Sequence, residues 1–559
     1  MIAIGTQRLA LRPVNEVRTV LERARTLGVE WLDVADQYGA APGDAERQLA
    51  PFANDFRIVT KGGLVRRGKR WEPDGRLGHL VDAALASRDR LGVDALDAFL
   101  LHAPDPRRSF KTSLRALARI QDRGIAKAVG LANVSVAQLT AALDVVPVRW
   151  VEVAVSPWDV ASARSGILEA CQRAQIPVLA HRPLGGADKQ QRLARHALLR
   201  DMAEARGGRP AEVVLAWIAS LGLVPLPGPT RVETLESCVR AASWTLTNDE
   251  RAQLDATFPE GGRLRRPREQ RAPSPEGVRE VRIVMGSPGS GKTTHAQRFV
   301  DRGFVRLNRD DRGGTLKKLL RPLAEALQDE GSSVVLDNTY ATRASRYDVI
   351  ETAWAHDVPV HVTWMDTPSA DCERNVVLRI LDRLGRLPEP EEFETLGRRD
   401  PSIIPPRALL SFRSRFEPPA ADEGFASIER VPFVRAPSGR HPGVILAPNQ
   451  LERFGPAIKA SRRVALVVGW EPGADPRVAA QAIEQAFTGP VHAAVCPHPA
   501  GPPICWCRMP WLGLPVLLAR IHDVDLTRTV VIATRPADRT LADKLNIPYV
   551  ETPEALTAL

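Results

Sequence analysis

No stretch of this sequence approaches the roughly 18 to 20 consecutive apolar residues that a membrane-spanning helix requires. The first residues, MIAIGTQRLALR, also lack the apolar core of a secretory signal. The expectation is therefore a cytoplasmic enzyme with no membrane partner. Cysteine is scarce, six in 559 residues, too few for a disulfide framework. Three of the six crowd into residues 496 to 507, which points to metal. Compositional extremes are missing too, since 44% hydrophobic and 25% charged residues describe an ordinary globular protein. The chain is too long for one core and should divide into about three or four domains, fewer if one is a barrel. A net charge of +10 suits a polyanionic partner, although Arg-rich chains reach such values without one.

Residues 1–262 carry short apolar runs, each followed by a helix-period stretch: IAIGT, EWLDVA, FRIVTK, LDAFLLH, AKAVGLAN, WVEVAVS, IPVLAHR and GLVPLPG. Parallel strands need helical crossovers, so these units predict a (β/α)8 TIM barrel within an all-α/β chain. Asp33, Lys61, His102 and Asn133 stand where strands finish, with Tyr38 just beyond the second run. In a barrel these ends meet on the face where active sites are built.

The segments DVADQYG, TKGG, LLHAPDP, GLANVS and PGPTRVETLESC resemble the aldo-keto reductase family over nearly all of residues 1–262. The resemblance implies a catalytic tetrad of Asp33, Tyr38, Lys61 and His102. Tyr38 would protonate a carbonyl oxygen, Lys61 would lower the tyrosine pKa, Asp33 would hold the lysine, and His102 would orient the carbonyl. The cofactor-binding positions are Asn133, Glu152, His181, Thr230 and Arg231. They depart from the family pattern at Ala132, at Glu152 for the usual glutamine, and at His181 for an aromatic ring. Thr230 and Arg231 open a helix and suit a 2'-phosphate, favouring NADPH over NADH. The alternative is a barrel retained as a scaffold.

RLRRPREQRAPSPEG, in residues 263–278, has no apolar period and reads as a linker. Residues 279–435 begin with a buried strand, EVRIVMG, running into Gly286, Ser287, Pro288, Gly289, Ser290, Gly291, Lys292, Thr293 and Thr294. That is the strand, loop and helix context of a phosphate cradle for ATP, with Lys292 reaching the β/γ-phosphates and Thr293 binding Mg2+. FVRLN runs into Arg309-Asp310-Asp311-Arg312, carboxylates beside the nucleotide where a hydroxyl acceptor needs a general base, and SSVVLD ends at Asp337, placed near Mg2+ or Lys292. A later helix carries Arg374, Arg379, Arg383 and Arg386, and arginines there can fold over the triphosphate.

GSPGSGKTT with LNRDD and VVLDNTYATRASR is similar to the polynucleotide 5'-hydroxyl kinase family over about 150 residues. The resemblance implies Asp310 as the general base, Arg374 and Arg379 as the residues that fold over the triphosphate, and an RNA or DNA 5'-OH end as acceptor, with a ligase as a further partner in end repair. A small metabolite acceptor stays open, as does a nucleic-acid-binding scaffold with vestigial enzymes.

In residues 440–559, VCPHPAGPPICWCRMP supplies Cys496, His498, Cys505 and Cys507 in C-x-H-x6-C-x-C spacing. Three thiolates and one imidazole make a closed, structural type of zinc site. The loop resembles that of haloacid dehalogenase (HAD)-type phosphatases. No Asp-x-Asp occurs between residues 436 and 495, so the resemblance implies a degenerate, inactive module.

Overall fold

The computed structural model describes residues 1–558 apart from 69, 159, 160, 187, 188, 259–278, 330, 488 and 502. The expected linker at 263–278 lies outside the described residues. The chain forms two compact units, the first holding the barrel and the second the remaining two sheets. No helix among the described residues is long and apolar enough to cross a membrane.

The first unit is built on eight parallel strands: β1 Ala3–Gly5, β2 Trp31–Asp33, β3 Arg57–Gly62, β4 Ala98–Leu101, β5 Val129–Ala132, β6 Val148–Ala154, β7 Val178–His181 and β8 Val224–Leu226. The strands pair in chain order. The Gly5 amide donates to Pro227 O at 2.9 Å, joining the last strand to the first. All four residues of β4 and of β5 are buried, because a barrel strand meets helices outside and side chains inside. Every expected strand is present. A hairpin, Leu64–Arg67 with Arg70–Pro73, follows β3 and was not anticipated.

The second unit contains two five-stranded parallel sheets. One holds β9 Val281–Met285, β10 Val305–Leu307, β11 Val334–Asp337, β12 Val360–Asp366 and β13 Ser427–Pro432, in the order β10-β11-β9-β12-β13. The other holds β14 His441–Leu446, β15 Val464–Trp470, β16 Val491–Cys496, β17 Val524–Ile532 and β18 Tyr549–Val550, in the order β16-β15-β14-β17-β18. In open parallel sheets ligands bind at the carboxyl ends of strands near such switches of order.

Each sheet has an apolar cluster of its own, and a further cluster joins a helix of the first part to the C-terminal region. One face of the helix Ser369–Leu384 (Cys372, Val376, Val377, Ile380) packs in a cluster with Leu512, Leu514, Val516 and Leu541 of the C-terminal region. Residues 279–435 and 440–559 therefore do not behave as two independently packed bodies. The carboxylate of Glu373 seals the join, accepting from Lys544 Nζ at 2.9 Å and from the Leu512 amide at 2.5 Å.

Candidate functional site

The barrel residues converge on one rim because each ends a strand or follows it: Asp33 on β2, Lys61 on β3, His102 after β4, Asn133 after β5, Glu152 on β6 and His181 on β7. The Lys61 side chain is fully buried and pairs with both Asp33 and Glu152, the latter at 2.9 Å. Asn133 takes a left-handed φ of 57° and donates from Nδ2 to His102 O at 3.0 Å, while its Oδ1 lies 3.2 Å from His181 Nε2. Tyr38 lies with its ring 5.9 Å from that of His102, and Lys61 Nζ is 5.6 Å from the tyrosine ring centre.

The electrostatics follow from one cation between two carboxylates. Burial opposes the charge on Lys61, but Asp33 and Glu152 outweigh it and raise the lysine pKa. Burial, then the Glu152 charge, push the Asp33 carboxyl up. Glu152 meets the same burial penalty, yet Lys61 and His181 hold it below the usual range. Tyr38 departs from the sequence-based expectation. Lys61 does pull its pKa down, but burial is the larger effect and Asp33, Glu152 and Asp36 add to it, so the phenol is raised. Burial, then Lys61, bring His102 down to about 3, so its ring stays neutral.

Two features of this rim were not read from the sequence. Trp71, on the unexpected hairpin, places its ring 6.4 Å from both Tyr38 and His102. The signal available was Gly68, whose φ of 60° makes the turn between two basic runs. Asp36 is buried and raised to about 7, chiefly by burial. Thr230 and the exposed Arg231 stand where β8 leads into the helix Val232–Ala242, which Arg231 caps. A nicotinamide nucleotide fits the donors present. His102 Nδ1 is buried with no hydrogen-bond partner among the described residues, and a helix N-terminus with an arginine stands on the same face.

In the second unit the phosphate loop joins β9 to the helix Lys292–Val300. Gly289 is required by close approach: a Cβ there would lie 2.3 Å from Cys372 O. The loop carbonyls are held from outside, Gly289 O by Asn375 Nδ2 at 2.8 Å and Ser290 O by Thr367 Oγ1 at 3.0 Å. Lys292 Nζ donates to Ser287 O at 2.8 Å. Burial brings the lysine down to about 8 although Asp337 works against it. Ser290 Oγ is buried without a partner among the described residues, as an anion-binding loop with no anion would leave it. Thr293 and Thr294 lie in the exposed first turn of the helix.

Asp310 and Asp337 are linked by a residue not singled out in the sequence. The buried Asn308 accepts from the Asp310 amide at 2.6 Å and donates to Asp337 O at 2.6 Å. Arg306, also unanticipated, donates to Asp337 Oδ2 at 2.8 Å and to Asp311 at 2.7 Å. Asp337 Oδ1 is buried and has no partner among the described residues, so one oxygen can face a cation. Asp310 is half exposed, pairing only with neighbouring Arg309 at 2.8 Å among the described ion pairs.

Arg379 and Arg374 divide. Cys372, Asn375, Val376 and Arg379 share the helix face turned to the phosphate loop, following i, i+3, i+4, i+7 spacing. Arg379 Nε is buried without a partner among the described residues, and burial lowers the pKa of its guanidinium, on which Asp400 and Asp310 act electrostatically. Arg374 lies two residues from Cys372, about 200° around the helix. It is buried against the C-terminal region, donating to Ser438 Oγ at 2.7 Å. The expectation that it folds over the triphosphate is corrected by that rotation.

In the C-terminal region Cys496, His498, Cys505 and Cys507 come together, with all ligand atoms within 4.8 Å of one another. His498 Nδ1 faces Cys507 Sγ at 3.2 Å and Cys496 Sγ at 3.6 Å. The central strand β14 ends at Leu446 and is followed by Ala447, Pro448 and Asn449, with no carboxylate at that edge.

Residues 1–258 match the model of the aldo/keto reductase family. An uncharacterized oxidoreductase of Schizosaccharomyces pombe is 30% identical over 243 residues, covering 42% of this chain and 76% of that protein. The pyridoxine 4-dehydrogenase of Escherichia coli is 30% identical over 251 residues, covering 42% of this chain and 85% of that protein. The chain belongs to the aldo/keto reductase family through its barrel. Residues 281–419 match the AAA domain model, so the second unit holds a P-loop, kinase-like domain. An aldo-keto reductase of Klebsiella pneumoniae solved in complex with NADPH is 23% identical, covers 46% of this chain and 90% of that one, and has a TM-score of 0.41.

Proposed function

We propose that this chain is a cytoplasmic enzyme with two activities, reduction of a carbonyl compound with NADPH in the barrel and transfer of the ATP γ-phosphate to a 5'-hydroxyl nucleic acid end in the P-loop domain. The observation that carries the kinase reading is the bridge through Asn308, which sets Asp310 and Asp337 at one sheet edge beside the phosphate loop. Asp310 takes the proton of the attacking hydroxyl. Lys292 and Arg379 offset the charge that gathers on the transferred phosphoryl oxygens. Thr293 and the open oxygen of Asp337 would hold Mg2+, which neutralises phosphate charge when bound. The preference for a polynucleotide over a small metabolite rests on charge, since exposed Arg312, Lys317 and Lys318 follow the base directly.

In the barrel the nicotinamide supplies hydride when bound, near Asn133 and His181. Tyr38 keeps its proton and donates it to the carbonyl oxygen, while neutral His102 offers a hydrogen bond to the same atom. Glu152 holds Lys61 together with Asp33. Thr230 and Arg231 would receive the 2'-phosphate that separates NADPH from NADH. The four-residue cluster of the C-terminal region has the donor set of a structural zinc site. That region, lacking a nucleophile, serves as a zinc-stapled structural or nucleic-acid-binding part. A ligase would act on the healed ends.

The test is transfer of labelled γ-phosphate from ATP and Mg2+ to 5'-OH RNA and DNA oligonucleotides, with Asp310→Ala and Lys292→Ala as controls. Transfer lost in both variants supports the reading. Retained ATP binding with no transfer to either oligonucleotide would move the acceptor to a small molecule.

A further inference from the structure

The metal cluster is not supported by its own region alone. His498 Nε2 lies 2.6 Å from Glu389 Oε2, and Glu389 belongs to the kinase-like domain, just beyond the helix Ser369–Leu384. A carboxylate accepts, so Nε2–H is the donor to Glu389 and Nδ1 is the ring nitrogen turned toward the thiols of Cys496 and Cys507. That is the arrangement by which an outer carboxylate fixes the tautomer and ring orientation of a metal-binding histidine.

Glu389 is itself held. Its amide donates to Glu392 Oε2 at 2.7 Å, and Glu392 accepts from both Arg386 Nη atoms, at 2.7 and 2.6 Å. A second tie runs from the same cysteine loop: the fully buried Trp506, between Cys505 and Cys507, donates from Nε1 to Ile404 O at 3.1 Å. The segment between these ties follows directly on the helix that carries Arg379.

We propose that Glu389 is a positioning residue for the metal at Cys496, His498, Cys505 and Cys507, and that metal binding in the C-terminal region thereby braces the arginine-bearing part of the kinase site. The inference rests on the zinc reading given above. Because coupling of two binding events is reciprocal, a nucleotide held by Arg379 should tighten the metal by the factor with which the metal tightens the nucleotide.

The experiment uses the full chain. Zn2+ affinity is measured by chelator competition for wild type, Glu389→Ala and Glu389→Gln, each checked by the visible spectrum of the Co2+-substituted protein. Binding of a fluorescent ATP analogue is then measured with and without Zn2+. Expected are about 10- to 100-fold weaker Zn2+ binding in Glu389→Ala with the four-ligand Co2+ spectrum kept, partial rescue in Glu389→Gln, and weaker analogue binding by zinc-free wild type. Unchanged Zn2+ affinity in Glu389→Ala, or analogue binding indifferent to Zn2+, overturns the proposal. Wild type that holds no zinc, and gives no tetrahedral Co2+ spectrum, overturns the zinc reading and the inference with it.

Discussion

Lys61 and Lys292 are the central cations of the two candidate sites, and they are held in opposite ways. Lys61 is fully buried between Asp33 and Glu152, its charge balanced by the protein before anything binds. Lys292 donates to a backbone carbonyl and makes no ion pair among the described residues, so its charge is left for a ligand to balance. Burial lowers both pKa values, yet the first ends raised and the second at about 8, because only the first has carboxylates in contact. A barrel that handles protons needs a fixed field around Tyr38. A phosphate cradle needs an unmet one.

The comparison breaks most visibly on stability. Lys61→Met leaves two buried carboxylates without their cation and should cost about 3–5 kcal/mol in denaturant unfolding of the barrel, along with loss of carbonyl reduction. Lys292→Ala should leave unfolding nearly unchanged while lowering phosphoryl transfer by roughly a thousandfold or more. Equal destabilisation by the two substitutions would remove the distinction.

Next in size is the pair of arginines. Arg379→Ala should lower phosphoryl transfer by about 10- to 1,000-fold in steady-state assays. Arg374→Ala should leave turnover within about twofold, since surface-remote changes without ligand contact act mainly on stability.

The third expectation concerns pH. With Lys292 at about 8 in the free protein, raising the pH above that value removes its proton, whereas bound phosphates favour the charged form. Nucleotide binding should therefore take up a proton, and affinity should fall by up to about tenfold per pH unit above pH 8 in calorimetric titrations. The smallest effect belongs to Glu152→Gln. Glu152 is among the groups that raise Tyr38, so its removal should bring the alkaline decline of kcat/KM to lower pH, read from the pH profile of carbonyl reduction.

The eight barrel strands were legible because each apolar run is bounded by helix-period residues, and Asp33, Lys61, His102 and Asn133 fall at strand ends where the barrel gathers them. What the residues could not reveal was pairing. Glu152 reads as a substituted cofactor contact until β6 is laid three strands from β3 and its carboxylate meets Lys61. Asn308 looks like an ordinary helix cap, and only the β10-β11 neighbourhood makes it a link from the Asp310 backbone amide to Asp337. Arg374 and Arg379 look equivalent as a charge row. Their separation is rotational, and it could have been found by counting from Cys372.

The core shared by the helix Ser369–Leu384 and residues 512–542 also has a consequence in time. A ribosome completes that helix on the order of ten seconds before its apolar partners emerge, at about 5–20 residues per second. Until then Val377 and Ile380 lack the cover that residues 512–542 give them, and the nascent kinase-like domain exposes that apolar face. Residues 512–542 thus decide whether the middle of the chain stays in solution, and production of residues 279–435 by themselves should give insoluble protein.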